Sequence, residues 1–146
     1  MPEAAPMLNQ VSLVVRDMAS TVAFYRRLGL VVADDNAWSA HHVVVEMANG
    51  LHLEFDSVTL TEGYDPGWPA TASGGGAAIL VFAFSSRQAV DDTFTDVTSA
   101  GYKGHQAPFD AFWGARYAVV EDPDGNKIGL MSPSDPDHAG PPPLAI

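Results

Sequence analysis

The fragment RYAVVEDPDGNKIGLMS, residues 116–132, is the stretch that decides the fold prediction. Two apolar runs flank the turn-forming sequence DPDG, and this pattern is typical of a β-hairpin. The second run contains Gly129 among larger residues. Glycine weakens a strand, and it often marks a bulge or a place that another group approaches closely. Gly129 is therefore a candidate position for such an approach.

The hairpin closes the second of two similar halves of the chain. In the second half the pattern predicts a strand at 77–84, a helix at 86–100, and strands at 102–107, 113–121 and 126–132. The first half predicts the same order, with a strand at 8–15, a helix at 18–28, and strands at 31–38, 40–48 and 51–58. A glycine follows each helix, as is common at helix ends. The chain therefore contains a duplicated βαβββ pattern.

This order predicts a single α+β domain made of two βαβββ modules. Residues 8–58 form the first module, 59–76 a linker loop, 77–132 the second module, and 133–146 a proline-rich tail that we expect to be disordered or extended. Each sheet should pack one face on its helix and leave the other free. Two free faces side by side would form a curved cup for a small molecule. The alternative is that the two faces pack together as core.

The composition limits the partners. Seven Lys and Arg residues oppose 18 Asp and Glu residues, giving a formal net charge of −11. Such a surface repels phosphate backbones, so we expect no nucleic acid partner, whereas a cationic small molecule would be attracted. The chain has no cysteine, which excludes disulfides, thiolate zinc sites and thiol nucleophiles. No apolar run reaches the ~20 residues of a membrane span, and the first residues lack a signal-peptide pattern, so we expect a cytoplasmic protein.

Two segments carry a family resemblance. VSLVVRDMASTVAFYRRLGL (11–30) and RYAVVEDPDGNKIGLMS (116–132) resemble the opening and closing motifs of the vicinal oxygen chelate superfamily, the group of glyoxalases, bleomycin-resistance proteins and extradiol dioxygenases. The resemblance implies the fold of that group, a curved mixed sheet with the helices on its outer faces. It leaves the function open, because the family contains isomerases, epimerases, thiol transferases, dioxygenases and non-catalytic drug binders. Relatives commonly complete their cups across a two-fold axis, which implies a homodimer, and completion within one chain is the alternative.

The resemblance also implies positions for a metal. In metal-dependent relatives four strand positions supply the ligands, and in this chain they fall on Gln10, Glu54, Ile79 and Gly129. Gln10 and Glu54 have side chains that can coordinate an ion, whereas Ile79 and Gly129 do not. The resemblance therefore implies that half of the ligand set is lost, and we expect no cofactor. A divalent ion (Ni, Zn, Fe or Mn) held with help from other residues is the alternative.

Hairpin register predicts which side chains face the cup. A two-residue turn at 49–50 would pair Met47 with His52 and Val45 with Glu54, and these four residues would then face the cup. The intervening residues Leu51, Leu53 and Phe55 would meet the helix. The same alternation suggests that His41 shares the side of Glu54, about 13 Å along the strand, and that His42 faces the other way.

In the second hairpin, the DPDG turn would place Ala118 beside Gly129 and Arg116 near Met131. Gly129 would then face the cup and leave an open space there. The residues predicted to face the helix are Tyr117, Val119, Ile128 and Leu130.

The candidate ligand-binding residues follow from these faces. They are Gln10, His52, Glu54, Trp113, Arg116, Gly129 and Met131. A purely structural role is the alternative for His52, and a position at a rim or interface is the alternative for Trp113. Arg116 would bind a carboxylate or pair with Glu54.

Three functions fit the sequence. The main prediction is a binder that sequesters an organic ligand, favoured by the lost metal ligands, the aromatic residues, the acidity and the space at Gly129. The second is a metal-dependent lyase or isomerase of the glyoxalase kind, or a dioxygenase. The third is metal-free catalysis, with Glu54 as the general base and Arg116 stabilising an oxyanion. The sequence does not separate the first from the third.

Overall fold

The computed structural model describes residues 4–69 and 77–144. The chain divides into two compact units, Met1–Ala72 and Ser73–Ile146, and each unit has its own mixed sheet. The α+β class is therefore confirmed. Among the described residues, no helix has the length and apolar character that a bilayer crossing requires.

The first unit has a three-stranded sheet with two helices. In chain order its elements are β1 (Gln10–Val15), α1 (Met18–Leu28), β2 (His42–Glu46), β3 (His52–Ser57) and α2 (Val58–Tyr64). The strand order is β1-β3-β2, with β1 parallel and β2 antiparallel to β3. The helix α1 begins after Asp17, whose side chain accepts the backbone N–H of Ser20, and it ends at Gly29 with a φ of 119°. The predicted helix at 18–28 is confirmed.

The core of the first unit lies against one face of its sheet. The rings of Tyr25 from α1 and Phe55 from β3 stack with their centroids 4.9 Å apart, and both residues are fully buried. Val43 and Val45 of β2 lie opposite Phe55 and Leu53 and are buried on the same face. Each such side chain contributes roughly 1.5–3 kcal/mol when it is removed from water. The apolar residues of β2 and β3 therefore decide which face is the core face.

The strand predicted at 31–38 is wrong. This segment has no regular structure before residue 36 and forms turns after it. The guanidinium of Arg26 donates from Nε and Nη2 to the carbonyl oxygen of Val32, at 3.2 and 2.6 Å. The side-chain oxygen of Asn36 accepts the backbone N–H of Trp38 at 2.9 Å. Side chains thus form hydrogen bonds with backbone groups that, in a strand, would be bonded to a neighbouring strand.

The linker predicted at 59–76 begins instead with helix α2. Its N-cap is Ser57, whose hydroxyl accepts the backbone N–H of Leu60 at 3.0 Å. The serine cap stabilises the N-terminus of the helix. The glycine and proline residues further along the segment favoured the prediction of a loop instead. Residues 70–76 of the predicted linker lie outside the described residues.

The second unit has a four-stranded sheet. Its elements are β4 (Ile79–Ala83), α3 (Arg87–Ser99), β5 (Gly104–Asp110), β6 (Arg116–Glu121) and β7 (Lys127–Met131). The strand order is β4-β7-β6-β5, with β4 parallel to β7 and the other pairs antiparallel. This order of elements is the predicted one. The first unit differs, because residues 4–69 contain no strand equivalent to β5.

The tail is ordered where it follows β7. A short 3-10 helix spans Pro136–His138. The backbone N–H of Asp135 donates to the carbonyl oxygen of Gly114 at 3.0 Å, and that of Gly140 donates to Phe112 at 2.8 Å. Gly114 has a φ of 96°, and a Cβ at this position would overlap the carbonyl oxygen of Asp135. The prediction of a disordered or extended tail is therefore wrong for residues 136–138, which are helical, whereas Asp135 and Ala139 have an extended backbone.

Both hairpins close with a three-residue loop instead of the predicted two-residue turn. In the first hairpin the backbone N–H of Gly50 donates to the carbonyl oxygen of Met47, and the backbone N–H of Met47 donates to the carbonyl oxygen of Leu51, each at 2.9 Å. Gly50 has a φ of 89°, and Gly125 of the second hairpin has a φ of 85°. This is a type I turn followed by a residue in the left-handed region. The register of each hairpin is therefore shifted by one residue, which exchanges the two faces of β2 and of β6.

Asp122 holds the turn of the second hairpin together. It is 5% exposed, and its Oδ1 accepts the backbone N–H groups of Asp124 and Asn126 at 2.9 Å while its Oδ2 accepts the Asn126 amide at 2.8 Å. We expect Asp122→Ala to lower the free energy of unfolding by about 1–3 kcal/mol, because these donors lose their acceptor. Urea denaturation measures the change. The exposed Asp92, which accepts one bond from Gln88, is the control, and Asp92→Ala should change stability by less than about 0.5 kcal/mol. Equal losses in the two variants would contradict the prediction.

Candidate functional site

The face of the first sheet opposite the core carries polar side chains from all three strands. Because side chains alternate along a strand, the neighbours of the buried core residues share this face. We call it the polar face. The strand register arranges it in three rows across β1, β3 and β2: Gln10, His52 and Glu46; Ser12, Glu54 and Val44; Val14, Asp56 and His42.

Glu54 lies at the centre of the polar face. Its side chain is only 12% exposed, and its carboxylate oxygens lie 3.9 Å from Nε2 of His42 and 3.9 Å from Nδ1 of His52. Both distances exceed that of a hydrogen bond. In the part of the chain that the structure describes, the Glu54 carboxylate accepts no hydrogen bond. Glu54 is therefore a largely buried acid with an imidazole nitrogen 3.9 Å from each of its carboxylate oxygens.

His42 and Asp56 form the end of the polar face beside α2. Nδ1 of His42 is hydrogen-bonded to Oδ1 of Asp56 at 2.6 Å, and the hydroxyl of Tyr64 donates to Oδ2 of Asp56 at 3.0 Å. One donor atom from each of His42, Glu54 and Asp56 lies within 4.8 Å of the other two. The structure thus brings together three side chains that can bind a metal ion.

The register predicted from a two-residue turn gave the wrong faces for His41 and His42. His42 was predicted to face away from Glu54, and the three-residue loop brings it to the same face. His41 was predicted to share that face, but its Nδ1 is hydrogen-bonded to the hydroxyl of Ser57 at 2.8 Å. Val45, predicted beside Glu54 in the cup, is 4% exposed and lies opposite Leu53.

Sequence reasoning also missed Asp56. The alternation that buries Leu53 and Phe55 places residues 52, 54 and 56 on the opposite face, so the signal for Asp56 was present in β3 itself. Gln10 lies on the polar face in the same row as His52, and its amide donates to the hydroxyl of Ser12 at 3.1 Å.

A groove of about 510 Å³ adjoins this end of the polar face. We call it the aromatic groove, because it is lined by Trp38 and Tyr64, which are 73% and 60% exposed. Asp56, which is 6% exposed, also lines the groove, so two exposed aromatic residues and a buried acid border the same space. The lining residues are Asn36, Trp38, His41, His42, Asp56, Leu60 and Tyr64.

The space predicted beside Gly129 is filled. A Cβ on Gly129 would lie 2.9 Å from the hydroxyl oxygen of Tyr117 and 3.0 Å from Cγ2 of Val81. Tyr117 was predicted to face the helix, but the shifted register pairs it with Met131 and pairs Val119 with Gly129. Burial raises the pKa of the Tyr117 hydroxyl. The prediction of a vacancy at Gly129 is therefore wrong.

Arg116 does not lie on the face of Gly129. Its Nε is 2.8 Å from Oδ1 of Asp91 in α3, and its Nη1 is 3.3 Å from Oδ1 of Asp110 in β5. The hydrogen bond to Asp91 raises the pKa of the guanidinium, which opposes the effect of its burial. The prediction that Arg116 faces the cup is wrong, because the register shift turns it to the same side as the buried Ala118. Two ion pairs within the second unit replace its predicted pairing with Glu54.

Trp113 precedes β6 and is half-buried. Its ring contacts Phe112 and Tyr117 edge-on, with centroid distances of 5.2 and 5.4 Å. Met131 lies opposite Tyr117 on β7. Ile79 of β4 is 52% exposed. In the second unit, therefore, the predicted ligand-contacting residues Trp113 and Met131 adjoin the tyrosine that fills the space at Gly129.

Comparisons with known proteins agree with this fold. The sequence profile of the glyoxalase/bleomycin resistance protein/dioxygenase superfamily matches residues 7–130. No curated protein matches the chain at a significant level.

Solved structures of the same architecture are similar along nearly their whole lengths. A glyoxalase-related enzyme from Fulvimarina pelagi is 20% identical with a TM-score of 0.74, over 97% of this chain and 100% of that chain. A glyoxalase/bleomycin resistance protein/dioxygenase family enzyme from Burkholderia phytofirmans is 20% identical with a TM-score of 0.71, over 86% and 97%. A protein of unknown function from Agrobacterium tumefaciens is 25% identical with a TM-score of 0.69, over 90% and 96%.

These likenesses confirm the fold that the two motifs implied, and they leave the activity open. The profile match spans both units, from before β1 to within β7. The chain therefore belongs to the glyoxalase/bleomycin resistance protein/dioxygenase superfamily.

Proposed function

We propose that the protein binds a small organic ligand, cationic and aromatic, and sequesters it in the manner of the bleomycin-resistance members of the family. The observation that carries this proposal is the aromatic groove, in which Trp38 and Tyr64 expose their rings beside the carboxylate of Asp56. The formal net charge of −11 favours a cation over an anion at this surface.

The groove offers two kinds of contact to such a ligand. A planar ring can stack on Trp38 or Tyr64, and a cation over an aromatic face gains about 0.5–2 kcal/mol, depending on how far it is desolvated. Asp56 adds a negative charge whose orientation is already fixed by its bonds to His42 and Tyr64. Because this carboxylate is ordered before binding, little entropy is lost when a ligand contacts it.

The family resemblance implies four positions for metal ligands, Gln10, Glu54, Ile79 and Gly129, which we call the inherited positions. The metal of the family's enzymes does not fit them in this chain. Gln10 and Glu54 offer donor atoms, whereas Ile79 and Gly129 offer none through their side chains. Tyr117 and Val81 pack against Gly129, so that position has no room for a ligating side chain without rearrangement. The proposal therefore contains no metal-dependent step at the inherited positions.

Metal-free catalysis by Glu54 has also lost support. Its predicted partner, Arg116, was expected to stabilise an oxyanion, but it is paired with Asp91 and Asp110 within the second unit. A general base without a charge-stabilising group provides only part of an acid–base site. This argument favours binding over catalysis. The homodimer and the cytoplasmic location stay predictions.

Calorimetric titration with a planar cationic dye such as ethidium tests the proposal. We expect binding at one site per chain, and we expect Trp38→Ala and Tyr64→Ala each to weaken it by about tenfold, because each removes a stacking surface worth ~1–2 kcal/mol. The matched control is Phe112→Ala, which removes an exposed ring from the second unit. Unchanged affinity in both groove variants, or equal affinity for an uncharged ring compound of the same size, would overturn the proposal.

A further inference from the structure

His42, Glu54 and Asp56 converge on the polar face, and only Glu54 is also one of the inherited positions. Glu54 is an inherited position, whereas His42 lies on β2 and Asp56 lies one pleat further along β3. We propose that His42, Glu54 and Asp56 bind a divalent transition-metal ion, at a site displaced from the inherited one toward β2. This inference does not rest on the binding of an organic ligand in the aromatic groove.

The donor set suits such an ion. One imidazole and two carboxylates are typical ligands of Zn²⁺, Mn²⁺, Fe²⁺ and Ni²⁺. A donor atom of each residue lies within 4.8 Å of the other two, and metal–ligand bonds of about 2.0–2.2 Å can bridge that span after small side-chain rotations. Three protein ligands leave at least one coordination position open.

The electrostatics of Glu54 favour an ion there. Its side chain and that of Asp56 are 12% and 8% exposed, so two carboxylates are largely removed from water next to each other. Asp56 has a hydrogen-bond partner at each oxygen, whereas Glu54 accepts no hydrogen bond among the described residues. Two neighbouring carboxylates that are largely removed from water are costly, and a divalent cation would neutralise both acids and be bound by oxygens of Glu54 that accept no hydrogen bond.

A residue outside the proposed site holds one of the ligands in place. The hydroxyl of Tyr64 donates to Oδ2 of Asp56 and leaves Oδ1 directed toward His42. Such outer contacts orient metal ligands, and their loss typically weakens metal binding by about 10- to 100-fold. Nδ1 of His52 lies 3.9 Å from Oε2 of Glu54, whereas Nε2 of His42 lies 3.9 Å from Oε1.

Calorimetry of chelator-treated protein with Zn²⁺ alone, and visible spectroscopy with Co²⁺ alone, test the site. We expect one ion per chain, and a loss of affinity of at least about tenfold in each of His42→Ala, Glu54→Gln and Asp56→Asn. The Co²⁺ absorption bands should change in the same variants. Circular dichroism establishes that each variant is folded, and Glu54→Gln preserves the size of the side chain if His42→Ala does not fold.

His41→Ala is the matched control, because His41 is adjacent in sequence but bonded to Ser57. It should bind Zn²⁺ like the parent protein, and so should Trp38→Ala, which removes the aromatic groove's largest ring. Failure of the dye titration would leave this result unchanged, since the metal is added without dye and the dye titration contains chelator. No binding of Zn²⁺ or Co²⁺, or binding that survives both His42→Ala and Glu54→Gln, would overturn the inference.

Discussion

Replacement of Val45 by asparagine is expected to lower the free energy of unfolding by about 3 kcal/mol or more, and the same replacement at Val44 by about 1 kcal/mol or less. Val45 is 4% exposed and lies opposite Leu53 in the core, whereas Val44 is 39% exposed and lies opposite Glu54 on the polar face. At position 45 the amide would be buried without a partner and the apolar contacts would be lost. At position 44 it would face solvent.

The pair of variants measures the register of the first hairpin. A two-residue turn at Asn49-Gly50 would place Val45 beside Glu54 and turn Val44 toward the core. Urea denaturation of both variants, followed by far-ultraviolet circular dichroism, distinguishes the two registers. If Val44→Asn proved the more destabilising variant, the observed register would be contradicted. His42 would then leave the polar face, and the metal site proposed above would lose one of its three ligands.

The sequence predicts well those features that depend on local chemistry. The helix at 18–28 agrees residue for residue with α1, because the apolar spacing, the cap at Asp17 and the stop at Gly29 all act within the segment. The faces of β3 and β7 are also as predicted, because Leu53, Phe55 and their equivalents in β7 are large apolar residues that must be buried. These features need no information about the partner strand.

Features that depend on counting residues through a turn were less predictable. An Asn-Gly pair favours a two-residue loop, but glycine also closes three-residue loops, and the sequence does not distinguish the two at residues 48–50 or 123–125. An error of one residue exchanges the faces of a whole strand. It therefore predicted that His42 faces away from Glu54 and that Arg116 shares the face of Gly129, and the structure has the opposite orientation for both.

The valine-rich segment at 31–38 shows a further limit. Its β-branched residues favour a strand, yet Val31 is 92% exposed and the carbonyl group of Val32 is bonded by Arg26. Strand propensity measures how well a side chain fits a half-buried sheet, and among the described residues this segment pairs with no strand of the first sheet. Composition alone could not reveal that a helix side chain would take the place of a neighbouring strand.

Gly129→Ala should lower the free energy of unfolding by about 1–3 kcal/mol, because the new methyl group would meet the Tyr117 hydroxyl at 2.9 Å and Cγ2 of Val81 at 3.0 Å. In a Tyr117→Ala background the same change should have less than about half that effect, which a double-mutant cycle measures as coupling between the two positions. Gly63→Ala is the control, since a Cβ there meets nothing within 4 Å and helix α2 gains a better helix former.

An equal loss of stability in both backgrounds would mean that Tyr117 does not fill the space beside the glycine, and no loss in either would mean that the space is open, as the sequence suggests. Strong coupling would mean that the Tyr117 side chain occupies the space beside position 129, so that only glycine fits there without strain. In that case a glutamate at position 129, the residue type that the family resemblance implies for the fourth ligand, would have to displace Tyr117 before it could bind an ion. Restoring the acid alone would then add a buried charge without a partner and would not restore a metal site. With strong coupling, the absence of a ligating side chain at position 129 and the packing of Tyr117 would have the same cause, and a metal in this chain would need donors from elsewhere in the fold.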